Sequence, residues 1–416
     1  MNFSLKSSFA YNSLTTFITS CVCGLINVLA LIWFAKELGP TELSYYASII
    51  FSTQIVLALL SFGFDQAVIY YSLDRHVWSS AFVLTVLQSI VVVVISFVSF
   101  YVYYIISPDG ANHVFLIALA VLGSAITTLI STLFAASLII NKDFRYLNYV
   151  RLGSTILGVI SALIMIDSNL GAISLGVRDL LFSLVTLYFI LRKYKANYRI
   201  ELSFRGLTFS KVWGFSFKYW KLHSIGRIFQ RIDYALIAIL FSKEILGIYY
   251  VIRSFTEGVL GFLLVPVQTV LFGYLSKKKS LAVSVIKKQF YFFWRYIILL
   301  SIIIILSYFI SPHILHYLGE EYIGGEVLIM PFVLFSGMMF LFEIIKVVSM
   351  SLNLHNAMIR ARVFQLFCYL VLVYPAVAIW GLIGSVLSLN IATTLLVIFA
   401  KKDLTFNYFA NKKNLL

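Results

Sequence analysis

The residues of this chain best placed to do chemistry are charged groups standing inside apolar runs. Arg227, Arg231 and Arg253 lie in stretches otherwise rich in Ile, Leu, Phe and Tyr, and Asp233, Glu257, Glu343 and Lys346 are similarly set. A charge in such surroundings is expensive, so it marks either a substrate or ion path or a partner on another helix. At about 100° per residue, Trp220, His223, Ser224, Arg227, Gln230, Arg231 and Tyr234 share one face of a helix, while Ile225, Ile228, Phe229, Ile232 and Leu236 cover the other. Arg227 and Arg231 stand one turn apart with no acid at helical spacing on their face. That excess of positive charge suits an anionic ligand, and a guanidinium offers phosphate-type oxygens a planar, permanently charged fork.

The acids allow two readings. Arg253 with Glu257 at i,i+4 and Glu343 with Lys346 at i,i+3 are either neutralising pairs that let helices pack or parts of a polar path. As titrating groups for ion coupling, Glu257, Asp233 and Glu343 are the candidates, in that order. Arg178 and Asp179 are adjacent, point to different faces and are expected to pair with neighbouring helices. His313 and His316, at i,i+3 near a helix end, have no further ligand type nearby, so no metal site is expected. A glycine-rich phosphate loop, a nucleophile motif and paired catalytic carboxylates on a sizeable domain are all missing, so no enzyme, no nucleotide hydrolysis and no cofactor are expected.

The elements that must position these residues follow from composition. Of 416 residues, 61% are hydrophobic and 12% charged, against about 25% charged in a soluble domain. With about 20 apolar residues per span, the chain holds roughly twelve transmembrane helices. Apolar stretches bounded by charge, Gly or Pro predict spans near 12–34, 43–64, 77–106, 113–140, 150–166, 172–191, 213–241, 245–275, 289–311, 327–352, 361–379 and 381–400. The first is read as a retained span and not a cleaved leader. The fold class expected is thus an all-α polytopic membrane protein.

Loop charge tests that count. Among 32 basic residues, Lys36 and Lys243 fall in outer loops and Arg178, Arg227, Arg231, Arg253 and Lys346 within spans; the rest sit in alternate loops and helix ends, as cytoplasmic segments require. Both termini are therefore expected in the cytoplasm. The net charge of +15 belongs to those membrane-facing loops, and no basic stripe is interleaved with aromatics as in strand binders, so nucleic acid is not expected as a partner. Cys21, Cys23 and Cys368 all lie in apolar segments and read as packing residues.

The longest connection, 192–212, is basic and cytoplasmic. It divides the chain into an N-terminal six-helix bundle (1–191), a linker (192–212), a C-terminal six-helix bundle (213–400) and a tail (401–416). A faint repeat supports two halves: Ala30-Leu31-Ile32 with Leu43-Ser44-Tyr45-Tyr46 echoes Ala235-Leu236-Ile237 with Leu246-Gly247-Ile248-Tyr249. An even number of spans between copies relates them by an axis along the membrane normal. Polar stripes fall on corresponding helices: Asn12, Thr16, Thr19, Cys23 and Asn27 on the first span, Tyr45, Ser48 and Ser52 on the second, Tyr249, Tyr250, Arg253 and Glu257 on the eighth, Ser336, Glu343, Lys346 and Asn353 on the tenth. Asn12, Asn27, Ser48, Tyr234 and Tyr249 are thus expected to line a central cavity.

Leu38-Gly39-Pro40-Thr41-Glu42 followed by Tyr45-Tyr46, then Gly63-Phe64-Asp65-Gln66-Ala67-Val68-Ile69-Tyr70, resembles the opening of bacterial polysaccharide flippases of the O-antigen (Wzx) type. Arg231-Ile232-Asp233-Tyr234 leading to Leu246-Gly247-Ile248-Tyr249, Glu257 and Pro266 resembles the start of that family's second half, and Leu318-Gly319-Glu320-Glu321-Tyr322 its outer-loop signature. The resemblance implies two six-helix bundles around a cavity, as in the multidrug/oligosaccharidyl-lipid/polysaccharide exporters. It implies alternating access for an undecaprenyl-pyrophosphate-linked oligosaccharide in the bacterial cytoplasmic membrane. It further implies cavity cations at Arg227, Arg231 and Arg253 that hold the pyrophosphate, a H+ or Na+ gradient or membrane potential as the drive, and the polysaccharide polymerase and chain-length regulator as partners. Without an arginine in the first two spans, the chain departs from the lipid II flippase pattern. Two alternatives stay open: an ion-coupled drug or metabolite antiporter of the same superfamily, disfavoured by the arginine excess, and a membrane glycan polymerase or glycosyltransferase, disfavoured by short outer loops.

Overall fold

The computed structural model describes residues 3–71, 74–106, 111–197, 206–266, 312–351 and 355–410, and parts of 302–310. The regular elements among them are all helical. In chain order they are α1 (Phe3–Leu60), α2 (Phe64–Tyr71), α3 (Arg75–Ile106), α4 (Ala111–Ile140), α5 (Phe144–Asp167), α6 (Ile173–Asn197), α7 (Gly206–Leu240), α8 (Lys243–Pro266), α9 (Glu326–Ser351) and α10 (His355–Ala410). Among the described residues, seven helices are long and apolar enough to cross a membrane, and two of these, Leu14–Leu60 and Asn356–Asp403, measure 47 and 48 residues. One span needs only about 20 residues, so each of these is a pair of spans. Helices α7 and α8, which carry Arg227, Arg231, Asp233, Arg253 and Glu257, have 35 and 24 residues.

Two glycines break the double helices. Gly39 sits at φ 71 and Gly381 at φ 57, in the left-handed region where a Cβ is penalised. Pro40 follows Gly39 and lacks the N–H that would continue the ladder, so the first two predicted spans meet at this corner. The last pair meets at Gly381, where a single glycine serves as the whole connection.

The boundaries differ from expectation in two informative places. The short span near 150–166 is the 24-residue α5, which starts at Phe144 and carries Arg145, Asn148 and Arg151 in its first turns. The eight-residue α2 was not anticipated as a separate element; it begins after the corner at Gly63 and buries Phe64, Ala67 and Val68. Much of the span expected at 289–311 and the whole of 267–288 lie outside the described residues, as do 198–205 of the expected linker and 411–416 of the tail.

The chain forms two compact units. A middle unit comprises Glu37–Gly247, and a terminal unit combines Met1–Lys36 with Ile248–Leu416. The middle unit has a core to which each of its helices from α2 to α7 contributes: Phe64 and Val68, Trp78 and Ala81, Phe134, Val150, Tyr194 and Val212. Trp78 stacks on Tyr194 with ring centroids 5.3 Å apart, and Phe134 meets the same tyrosine edge-on at 4.9 Å. In the terminal unit, the first limb of α1 is fastened to the loop before α9: Tyr322 donates its hydroxyl proton to the carbonyl of Ala35 at 3.0 Å, and Lys36 lies over the Tyr317 ring. Asn390 of α10 donates to the carbonyl of Pro331 in α9 at 2.9 Å. Large apolar side chains such as Ile164, Phe367 and Ile398 project outward from both units, and so much exposed hydrocarbon is stable only against lipid.

Candidate functional site

In the middle unit α7 carries Arg227, Arg231, Asp233 and Tyr234. The Arg231 guanidinium lies 5.5 Å from the Phe51 ring centre and 5.8 Å from that of Tyr234, and these two rings stack on each other. Asp233 and Tyr234 are buried, Arg231 is half-buried and Arg227 is exposed. Counting about 1.5 Å per residue from Leu240, Arg231 stands roughly 14 Å along its helix, close to half of a hydrocarbon core about 30 Å thick.

No acid lies at helical spacing beside Arg227 and Arg231, but the fold brings Asp65 of α2 within electrostatic range of Arg227. The Asp65 carboxylate accepts a 2.8 Å hydrogen bond from Gln66 Nε2. Sequence reasoning missed Asp65 as a partner because 162 positions of chain separate it from Arg227 and its helix is too short to read as an element. Ser48, expected to line a cavity, is half-buried and spends its proton on the carbonyl of Ser44 within its own helix.

Arg178 and Asp179 were expected to pair with neighbouring helices. Both engage the hydroxyl of buried Tyr46 on α1, and they also bond each other, through Nε at 3.0 Å and through the terminal nitrogen at 2.8 Å. The Tyr46 hydroxyl donates to Asp179 and accepts from Arg178 at 3.1 Å. This triad sets the two charges against each other, a packing arrangement reached by a route that residue spacing does not suggest.

The terminal unit holds the other candidates. Arg253 is wholly buried, its Nε donating to Glu257 at 2.8 Å and its guanidinium lying 5.8 and 5.5 Å from the ring centres of Phe332 and Phe335. Tyr249, one turn earlier and wholly buried, meets Phe332 edge-on at 5.0 Å. Arg253 stands about 15 Å along α8 from Lys243, again near half a span. Of the polar stripe on the first span, Asn12 is buried and Asn27 exposed.

Glu343 of α9 is buried and meets Lys346 as the i,i+3 spacing requires, and it also faces Arg362 of α10 at 3.5 Å. Sequence reasoning placed Arg362 at a cytoplasmic helix end. The structure buries it over the Phe342 ring at 4.0 Å, with one amino group donating to Gln365 at 2.8 Å and Gln365 in turn donating to Thr393 at 3.0 Å. The three arginines expected to hold a ligand thus divide between the units, Arg227 and Arg231 in one and Arg253 in the other.

A family model described as "Polysaccharide biosynthesis protein" matches residues 33–323. The chain belongs to this family. Among solved structures, it is similar to a MATE in complex with MaD5 (TM-score 0.73, 13% identity, 98% of this chain and 97% of that one). It is also similar to a multidrug resistance MATE family transporter of the MOP superfamily in its inward-facing conformation (TM-score 0.68, 13% identity, 96% and 99%). A third likeness is to the Vibrio cholerae MATE transporter VcmN (TM-score 0.66, 14% identity, 96% and 98%). At such identities the likeness is one of fold: this member of the polysaccharide biosynthesis family has the MATE fold of about twelve membrane helices over nearly its full length. No curated protein matches the chain.

Proposed function

We propose that this member of the polysaccharide biosynthesis family is a flippase that carries a diphosphate-linked lipid oligosaccharide across the bacterial cytoplasmic membrane by alternating access, with both termini in the cytoplasm. Arg253 carries the reading: it is a permanent charge with no exposed surface, placed about half a span deep. Burying an ion costs several kcal/mol, which Glu257 and the two flanking rings offset here, and an anion crossing at that depth would meet a guanidinium already held in place by them. Its aromatic flanks, Phe332 and Phe335, leave the planar fork oriented, and Arg231 in the other unit has the same arrangement on Phe51 and Tyr234. Ion coupling would supply the drive, since moving one charge through the field yields about 2.3 kcal/mol per 100 mV. Glu257, bound to Arg253, is the first candidate for the coupled group, followed by Asp233 and Glu343.

The test is display of surface glycan, normalised to membrane-inserted protein. Arg253→Ala and Arg231→Ala should each abolish display at unchanged protein level, and Arg253→Lys should retain part of it because lysine keeps the charge and loses the fork. Normal display by a variant with Ala at 227, 231 and 253 would overturn this reading. An ion-coupled antiporter would then be the better one, a reading favoured independently by the fold likeness to multidrug transporters.

A further inference from the structure

The acids of the terminal unit are few and can be placed individually. They are Glu257, Glu320, Glu321, Glu326, Glu343 and Asp403, and the segments 1–36, 258–319 and 344–402 contain none. Glu320, Glu321 and Glu326 lie in the loop before α9 and in its first turn, and Asp403 is taken by exposed Arg360 at 2.8 Å. Away from the helix ends, among the described residues, that leaves Glu257 and Glu343 beside Arg253, Lys346 and Arg362. Glu257 bonds Arg253. Glu343 is shared.

Its two cations are held differently. Lys346 sits directly on one carboxylate oxygen of Glu343. Arg362 reaches the other oxygen at 3.5 Å, whereas a fully formed charge-assisted bond measures about 2.7–2.9 Å. The exposures differ in the same sense: the side chains of Glu343 and Arg362 are 4% and 3% exposed, while Lys346 is 18% exposed. Arg362 is thus sealed behind the carboxylate, anchored by Gln365 and the Phe342 ring, and Lys346 stands at its accessible edge. Glu343 is about 12 Å along α9 from Ser351 and Arg362 about 10 Å along α10 from His355, counting from the helix ends that loop charge assigns to the cytoplasm.

We infer that Lys346 is a second docking point for the diphosphate, nearer the cytoplasmic side than Arg253, and that Glu343 is its built-in competitor. This rests on the flippase reading. An arriving phosphate oxygen displaces the carboxylate from Lys346, and Glu343 closes its loose contact with Arg362, so that each cation keeps an anionic partner throughout. The exchange makes the station reversible: when the anion leaves, Glu343 returns to Lys346. Glu343 is then a counter-ion that shuttles between two cations. A purely structural salt bridge makes the opposite prediction for its removal.

The experiment uses the full chain in lipid nanodiscs, titrated calorimetrically with a water-soluble short-chain isoprenyl diphosphate and, separately, with inorganic pyrophosphate. Lys346→Gln should weaken binding of both at least tenfold, which is about 1.4 kcal/mol. Glu343→Gln should tighten binding several-fold, because the internal competitor is gone. If that variant does not fold with Arg362 left uncompensated, Glu343→Gln combined with Arg362→Met removes both buried charges, a replacement that buried pairs tolerate, and should show the same tightening. Weaker binding in the folded Glu343→Gln or double variant, or unchanged binding of either ligand by Lys346→Gln, overturns the inference. If Arg253→Ala loses the isoprenyl diphosphate while Lys346→Gln keeps it, the second station falls and the flippase reading stands; a wild-type chain that binds neither ligand removes both.

Discussion

Gly247→Ala isolates the tightest backbone approach in the middle unit. A Cβ built on Gly247 would stand 1.9 Å from the carbonyl oxygen of Pro40 and 2.6 Å from its carbonyl carbon, where ordinary contact begins near 3.4 Å. Both are backbone atoms at the Gly39–Pro40 corner, so no rotamer change relieves the clash and the start of α8 must move by about 1.5 Å against that corner. Overpacking of this kind costs about 1–3 kcal/mol, with the upper end expected where backbone must yield. The intrinsic helix gain of Ala over Gly, about 1 kcal/mol, offsets only part of it. Two further glycines calibrate the scale. Gly258→Ala meets only a Val28 methyl at 3.1 Å, and Gly153→Ala in α5 meets nothing within 4 Å. Thermal unfolding of the three purified variants in one detergent should rank Gly153→Ala at or above wild type, Gly258→Ala near it and Gly247→Ala well below, with a matching fall in membrane level. A Gly247→Ala variant as stable as Gly153→Ala would refute the packing argument, and with it the close seating of the α8 start on the first helical corner.

Tyr322→Phe removes the bond to the Ala35 carbonyl and should lower stability by about 1 kcal/mol at neutral pH. Burial, aided by the nearby charge of Glu321, pushes the Tyr322 phenol above its ordinary 10.0. A folded value above the unfolded one gives stability that is complete below the unfolded value and lost as pH rises through the folded one. The wild-type advantage over Tyr322→Phe should therefore hold through neutral pH and shrink only in strong alkali, as followed by unfolding midpoints. Arg178→Ala opens the Tyr46–Asp179 triad and should reduce the amount of membrane-inserted protein without altering glycan display per molecule, in contrast to Arg253→Ala. Single cysteines in 192–212 or 277–288, introduced after the native three are replaced, should resist an impermeant thiol reagent in intact cells, and cysteines at Gly110 or Gly324 should react; labelling of 192–212 from outside would invert the topology.

The membrane class, the roughly twelve spans and the family were legible because hydropathy and loop charge add along the chain, each loop reporting on its own neighbours. The charged faces of α7, α8 and α9 were legible too, since helical spacing places Arg227 with Arg231, Arg253 with Glu257 and Glu343 with Lys346 without reference to any other segment. Helix α2 escaped because eight residues are too few to carry a period. The pairing of Arg178 and Asp179 with a neighbouring helix was legible, but not their bond to each other, because adjacency excludes a shared helix face without stopping two flexible side chains from curling onto one tyrosine.

By itself, then, the sequence determined the approximate number of membrane spans, the polar spacing within each and the sign of charge at each loop, all of which depend on residues within a few turns of one another. Only the tertiary structure decided which helices form a unit and which acid meets which cation. It packs the first limb of α1 with the chain's last helices, brings Tyr322 to Ala35 across 287 positions, sets Asp65 within electrostatic range of Arg227, and makes Glu343 answer to both Lys346 and Arg362. Such choices turn on how side chains of distant segments fit in a medium that does not solvate charge, and periodicity within one helix carries no information about its neighbour.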